Sequence, residues 1–401
     1  MTNDDIKQRR EALFTRLLRT DRRRGAGLES AGRPSIESAA RNFDADDVTN
    51  RLESLADSLP AHEVVDPGKT KRAAELVARN LRSALAKARR GDLQSITEEE
   101  EASTEAVIIA DGSRPTLLLQ NGLPPLDHPM LGDWRDEMTG LKQQIAQSAA
   151  ATCRVQPTGG SPNNYFGTGF LIDAARGLVL TNQHVLNAML SEGSTDAERS
   201  GLRHIIRDGV VVEFNGEADM PEKRQFKVVE AHRTPVDVEG LFDVNFKRLD
   251  ISVLKIEPLA DSPSLPAAVP LELGTERADG GLISFCSIGF PGPPESAFGV
   301  VNGIDFGVVH SQLFGGRYGL KRIAPGLVHR PVGTLEGDPH RWVFGHNATM
   351  LGGASGSPVI AWLDGNSIIG IHFAGQTGAS NFAHSLFAAR RTLAEFDLPL
   401  V

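Results

Sequence analysis

The chain has 401 residues, of which 40% are hydrophobic and 23% charged, and its formal net charge is -9 at pH 7. This length allows two or three domains, and no apolar run approaches the roughly 20 residues that a membrane-spanning helix needs. The acidic balance argues against nucleic acid as a main partner. The one basic cluster, at residues 16–24, is predicted to be a solvated helix end.

Two features of the sequence favour a cytoplasmic location. Residues 1–25 alternate acidic side chains with arginines and lack the apolar stretch of a secretory signal. Cys153 and Cys286 are too few for a disulfide framework, and neither adjoins the serine and histidine motifs described below. We therefore expect a cytoplasmic protein that does not cross a membrane.

Residues 1–91 are predicted to form a small helical module. Apolar residues at 13, 14, 17 and 18, and again at 48, 52, 55 and 59, follow the spacing of a helix face. Asp66 and Pro67 indicate the N-cap and first turn of a further helix, which Gly91 ends.

Residues 92–145 are predicted to connect this module to the rest of the chain. The acidic run Glu98–Glu101 is typical of a solvated linker. Residues 106–109 and 116–119 are expected to pair as a hairpin around Asp111 and Gly112. A connecting helix, capped by Asp133, then carries an apolar stripe at positions 134, 138, 141 and 145.

From about residue 150 the pattern changes to short β-rich runs separated by glycine and proline. We predict strands at 169–172, 178–181, 210–214, 226–231, 251–256, 282–289, 357–362 and 368–373. Many short strands with turn signals indicate an all-β sandwich or barrel. A final helix is expected near residues 385–396.

A serine and a histidine in this β-rich part suggest nucleophilic catalysis. Ser355 lies in the segment Gly-Ala-Ser-Gly-Ser-Pro-Val, and His184 follows the predicted strand 178–181 in Thr-Asn-Gln-His-Val. Serine is a poor nucleophile unless an imidazole takes its proton, and flanking glycines let backbone N–H groups face the reacting oxygen. An isolated histidine would more often be a core residue, so the serine motif is what favours His184 as the base.

The imidazole also needs a carboxylate that holds its tautomer and stabilises the imidazolium. Asp250 is the candidate, because it stands at the mouth of the alternating apolar strand 251–256, where a charge requires a partner. Asp243 is the rival, although its surroundings look like a loop. Asp250 could alternatively be a turn residue that caps the strand.

The order His184, Asp250, Ser355, with the motifs T-N-Q-H-V, D-I-S-V-L and G-A-S-G-S-P-V, resembles that of the chymotrypsin-fold (trypsin-like) serine peptidases, particularly their disulfide-poor bacterial members. The segment S-I-G-F-P-G at residues 287–292 is similar to a strand of those members. The resemblance covers about residues 150–400.

This resemblance implies a mainly β fold of two six-stranded antiparallel barrels, which we assign to residues 146–270 and 271–401, behind the helical module. It also implies that the backbone N–H groups of Gly353 and Ser355 form the oxyanion hole. The α/β-hydrolases do not fit, because their G-x-S-x-G motif would need glycine at position 357, where this chain has Ser357, and because alternating βα units are missing.

Ala354 departs from the family pattern. The digestive members have an aspartate there, which pairs with a newly cut N-terminal amine and completes the active site. That ion pair is not available here, so the site is either constitutively formed or governed by another device, such as the helical module.

The specificity pocket departs from the trypsin pattern as well. Thr349 replaces the aspartate that selects Lys or Arg, so tryptic cleavage is not expected. His372 stands where glutamyl endopeptidases place a histidine that contacts an acidic substrate side chain, which suggests cleavage after Glu or Asp. Met350, in place of their hydroxyl residue, would equally suit a small or medium apolar side chain, and His372 could simply be a barrel histidine. The backbone of Phe373 to Gly375 is expected to pair with an extended substrate.

No metal or cofactor is predicted. His340 and His346 beside Asp338 match no known ligand spacing and are expected to be surface histidines, and no glycine-rich phosphate loop follows a strand.

We therefore expect a bacterial serine endopeptidase that acts on a protein or peptide and is regulated through its helical N-terminal region, with residues 1–130 available to a protein partner. The alternative is an interaction scaffold whose peptidase domain is little used. A third hypothesis joins the two, with the helical region sensing a partner and the peptidase cutting one dedicated substrate.

Overall fold

Helices form the first part of the chain and strands most of the remainder. A computed structural model describes residues 35–53, 64–110, 115–191, 195–235, 245–259, 263–280, 283–293, 299–363, 365–376 and 380–395, with scattered positions between 7 and 18. The helices are α1 (Ile36–Asn42), α2 (Ala45–Glu53), α3 (Pro67–Ala88), α4 (Glu98–Ala110), α5 (Arg135–Gly140), α6 (Lys142–Ala151), α7 (Gln183–Ser191), α8 (Phe306–Leu313) and α9 (Leu386–Glu395). Within these ranges no helix combines the length and apolar character needed to cross a membrane.

The central helix of the N-terminal part is α3, which begins as its sequence predicts. The side chain of Asp66 accepts the N–H of Lys69 at 3.0 Å, and Pro67 follows in the first turn. Val77, Leu81 and the other apolar residues of its inner face are buried. They pack against α2 and α4, so the core of the helical part lies around α3.

Residues 98–110 form helix α4, and the predicted linker and hairpin are therefore wrong at this place. The acidic run is the first turn of the helix, where negative side chains are favoured. Glu101 is fully buried and bonded to Arg10, and Glu100 accepts from the Nζ of Lys87 at 2.7 Å. The other half of the expected hairpin is strand β1 (Leu117–Leu118), which pairs with the second barrel, and the turn residues 111–114 lie outside the described residues.

The first barrel contains six antiparallel strands in the closed order β7-β2-β3-β4-β9-β8, with β8 pairing β9 to complete the ring. A hairpin of β5 and β6 extends it from β8. The strands are β2 (Thr152–Pro157), β3 (Gly167–Asp173), β4 (Leu178–Thr181), β5 (Asp196–Ser200), β6 (Arg203–Asp208), β7 (Val210–Glu213), β8 (Gln225–Arg233) and β9 (Ser252–Pro258).

The second barrel closes in the order β13-β10-β15-β16-β17-β14, because β13 pairs with both β10 and β14. Its strands are β10 (Ile283–Gly289), β13 (Arg322–Arg330), β14 (Val343–His346), β15 (Pro358–Ala361), β16 (Ser367–Gln376) and β17 (Ser380–Ser385). The connection from β10 to β13 carries the short pair β11 (Val300–Val301) and β12 (Ile304–Asp305) and then α8. The two six-stranded antiparallel barrels behind a helical part confirm the predicted fold.

Candidate active site

His184 and Asp250 meet because neighbouring strands of the first barrel end together. β4 pairs with β9 so that Thr181 lies opposite Ser252. His184 comes shortly after the end of β4, and Asp250 comes shortly before the start of β9. His184 Nδ1 lies 2.6 Å from Asp250 Oδ2, and its backbone N–H donates to Oδ1 at 3.0 Å. Both residues are buried. The carboxylate therefore holds the imidazole in the tautomer with its proton on Nδ1, which leaves Nε2 as the acceptor.

The buried carboxyl of Asp250 remains the charged partner of this pair. Burial raises the pKa of Asp250, but the charge and hydrogen bonds of His184, with a smaller effect of His384, outweigh it and hold the pKa below its ordinary value. The Asn182 side-chain amide also donates to the backbone oxygen of Asp250 at 2.7 Å. The rival Asp243 lies outside the described residues.

His384, on β17 of the second barrel, is a site residue that the sequence did not reveal. Its Nε2 accepts the backbone N–H of Asp250 at 3.1 Å, and its ring stacks on Phe373 at 4.0 Å between centroids. Burial lowers the pKa of His384 to about 4, so the ring is neutral at pH 7. No local motif surrounds it, so pairing between distant segments alone places it here.

Ser355 lies in the turn between β14 and β15, and its backbone is bonded to the first barrel. Its carbonyl accepts the N–H of Thr168 at 2.9 Å, and the next N–H, of Gly356, donates to His372 O at 2.9 Å. A Cβ at Gly167 would lie 2.7 Å from Val185 Cγ2 and 3.1 Å from the carbonyl oxygen of Ser355. This turn, residues 352–356 and called the serine turn below, therefore adjoins Val185, the residue that follows His184.

The backbone of this turn presents two N–H groups to a ligand. The carbonyl of Gly352 accepts from Gly292 N at 2.5 Å, and that of Ala354 accepts from Ser357 N at 3.0 Å. A planar trans peptide points its N–H opposite to its C=O, so the N–H groups of Gly353 and Ser355 face away from these partners. Among the described residues, no acceptor takes either N–H. Two such donors side by side can hold the oxygen of a reacting carbonyl.

The predicted pocket residues fall into two groups. Thr349 and Met350 line a small recess together with Ala354 and Arg322. Three further pocket candidates lie on strand β16, outside that recess: His372, Phe373 and Gly375.

His346 is fully buried, so the prediction of a surface histidine is wrong for it. Its Nε2 lies 3.2 Å from His372 Nδ1, because β14 and β16 both flank β17. His340 is exposed and stacks on Trp342. Burial and the charge of His184 lower the pKa of His372 to about 3, so His372 is neutral.

Comparison with known proteins identifies the family. Residues 167–371 match the trypsin-like peptidase domain. A probable serine protease of Lysobacter enzymogenes is 38% identical over 333 residues, which are 82% of this chain and 84% of that protein.

Solved structures of proteases are similar to the chain at low identity. The VesB protease of Vibrio cholerae is 14% identical over 62% of this chain and 64% of its own, with a TM-score of 0.38. A serine endoprotease of Yersinia pestis is 15% identical over 64% of this chain and 66% of its own, with a TM-score of 0.36. From the matched domain and the curated relative we conclude that the chain belongs to the trypsin-like peptidase family and is a serine endopeptidase.

Proposed function

We propose that Ser355, His184 and Asp250 are the catalytic triad of this endopeptidase. Ser355 Oγ attacks the carbonyl carbon of a peptide bond while His184 Nε2 takes its proton, and Asp250 stabilises the imidazolium. The N–H groups of Gly353 and Ser355 bind the oxyanion. His184 then gives the proton to the leaving amine, and water hydrolyses the acyl-enzyme.

The buried hydrogen bond between His184 and Asp250, next to the serine turn, carries this proposal. The two other imidazoles of this region, His372 and His384, are neutral by burial. Neither His372 nor His384 therefore adds a positive charge beside the imidazolium that forms on His184, which the Asp250 carboxylate opposes.

Ser355→Ala should lower kcat on a casein-derived peptide by at least about ten-thousand-fold, since it removes the nucleophile. Ser191→Ala, on the exposed end of α7, is the control that should keep the wild-type rate. Equal rates for Ser355→Ala and the wild type would reject the triad.

The substrate preference we propose is an acidic side chain before the cut bond. The buried His346 Nε2 lies beside His372 Nδ1 and can fix the orientation of the His372 ring. A neutral His372 has a single ring N–H, which could reach a substrate carboxylate only in exchange for its backbone partner at Phe382. Met350 supports the competing preference for a small or medium apolar side chain.

A peptide-library profile distinguishes these preferences. We expect cleavage after Glu and Asp, and His372→Ala should lower the ratio of Glu to Ala cleavage by about ten- to a hundred-fold, as for a lost hydrogen bond to a charged group. An unchanged ratio would make His372 a barrel histidine only.

We further propose that the substrate is a dedicated cytoplasmic protein and that the helical part regulates its cleavage. The connection from β10 to β13 contacts the helical part at residues 65 and 70 and at helix α4. Near its start, Gly292 of this connection also bonds to Gly352 O of the serine turn. The alternative, an interaction scaffold, predicts that Ser355→Ala retains the biological activity of the chain.

A further inference from the structure

The serine turn of the second barrel is held by one residue of the first barrel. The Thr168 backbone N–H donates to Ser355 O at 2.9 Å, and the Thr168 hydroxyl donates to Gly353 O at 3.0 Å. Thr168 itself is fully buried on β3.

The same hydroxyl also bonds to the segment 290–292, which contacts the serine turn. It accepts the N–H of Phe290 at 3.1 Å. Two residues later, Gly292 donates its N–H to Gly352 O. Thr168 therefore bonds to the serine turn and also to Phe290, two residues before the Gly292 that itself bonds to the turn.

These contacts determine which backbone groups of the turn remain available. The carbonyls of residues 352 to 355 are all taken, by Gly292, Thr168, Ser357 and again Thr168. The N–H groups of Ala354 and Gly356 also have acceptors, Leu351 O and His372 O. Within residues 353 to 356, only the N–H groups of Gly353 and Ser355 have no acceptor among the described contacts.

We propose that Thr168 is a positioning residue of the oxyanion hole and sets the orientation of the Gly353 and Ser355 N–H groups through its hydroxyl. It touches neither the substrate nor the reacting atoms. This inference rests on the proposed triad and adds to it a residue that no sequence motif had assigned.

The test measures how fast a fluorophosphonate labels the full-length chain. Labelling forms a bond from Ser355 Oγ to phosphorus and breaks the P–F bond; fluoride leaves, the serine proton passes to His184, and the phosphoryl oxygen occupies the oxyanion position. Thr168→Ser and Thr168→Ala form a matched pair that differs in the hydroxyl. Thr168→Val keeps the shape of the side chain.

We expect Thr168→Ala and Thr168→Val to be labelled about ten- to a hundred-fold more slowly than the wild type, since loss of a whole oxyanion donor costs about a hundred- to a thousand-fold. Thr168→Ser should stay within about threefold of the wild type by the same reasoning. On a peptide substrate, kcat should fall in the same order while KM stays nearly constant. The pH midpoint of labelling should not move, because the His184 and Asp250 pair is untouched.

Thr152→Val is the control for a buried hydroxyl lost from the same barrel, since Thr152 Oγ1 donates only to Ser148 O at 2.9 Å. It should be labelled at the wild-type rate, even if it lowers the unfolding midpoint as much as Thr168→Val does. Equal labelling of the Ser and Ala variants, an equal loss in Thr152→Val, or a shifted pH midpoint would overturn the inference. A wild type that is not labelled at all would overturn the proposed function first.

Discussion

His384 brings a neutral imidazole from the second barrel to the backbone of Asp250. Because Nε2 accepts the Asp250 N–H, the ring proton is on Nδ1, and protonation of Nε2 would break that hydrogen bond. A second charge would then also face the His184 imidazolium, but Asp250 raises the pKa of His384 by more than His184 lowers it, so burial is the main cause of the lowered pKa. The ring can serve in this place only while it is uncharged.

This arrangement predicts a dependence of stability on pH. Burial lowers the pKa of His384 from 6.5 to about 4. Between these values the unfolded chain binds more protons than the folded one, so the free energy of unfolding falls as the pH falls from 6.5 towards 4. His384→Gln keeps an acceptor for Asp250 N–H and cannot titrate. Its free energy of unfolding should therefore fall less from pH 7 to pH 4.5, by on the order of 2 kcal/mol.

Urea unfolding followed by tryptophan fluorescence at several pH values measures this difference. Titratable groups that do not face position 384 contribute equally to both proteins, so the comparison isolates His384 together with its coupling to His184 and Asp250. Parallel pH curves for the two proteins would show that His384 does not titrate with a lowered pKa.

The connection from β10 to β13 joins the helical part to the serine turn. The Thr70 hydroxyl donates to Gln312 O at 3.0 Å, and Asn302 donates to Glu99 at 2.6 Å. Further along, Gly319 N donates to Pro291 O at 2.8 Å, next to the Gly292 that binds Gly352 O. The N-terminal helices thus contact this connection while Gly292 N–H donates to Gly352 O, the hydrogen bond that turns the Gly353 N–H away from Gly292.

We predict that removing the two hydrogen bonds between the helical part and this connection, at Thr70 and Glu99, lowers kcat. The double variant Thr70→Val, Glu99→Ala should lose about three- to tenfold in kcat, the range expected for a coupling carried through packed elements. Glu98→Ala, an exposed change in the same first turn of α4, is the control. If the double variant and the control turn over a peptide equally fast, regulation through this contact is wrong.

Local patterns predicted some elements and failed at others for identifiable reasons. Asp66 and Pro67 correctly predict the start of α3, because capping is an interaction between residues close in sequence. The apolar residues of α4 fit a strand or a helix equally, and the partners that stabilise its acidic turn, Arg10 and Lys87, come from other segments. Helix α8 was not predicted, since its β-branched residues disfavour a helix in isolation and its support is packing on α3 and α4.

At the scale of the whole molecule, the two barrels were predicted from the sequence, but the contacts between them were not. Lys321 is fully buried there, with its Nζ donating to Ala149 O at 2.6 Å and to the carbonyl of Phe214. Burial lowers the pKa of Lys321 to about 8. A lone lysine in sequence gives no sign of such a role, just as Thr168 and His384 gave none of theirs.

The proposed catalytic centre combines residues from both barrels, with Ser355 as its nucleophile. Mass-spectrometric mapping of the full-length chain after fluorophosphonate treatment tests it most directly. We predict one phosphonylated peptide, modified on Ser355, whose yield at a fixed time collapses in His184→Ala. A label on another residue, or labelling that His184→Ala leaves unchanged, would show that Ser355 and His184 do not act together as nucleophile and base.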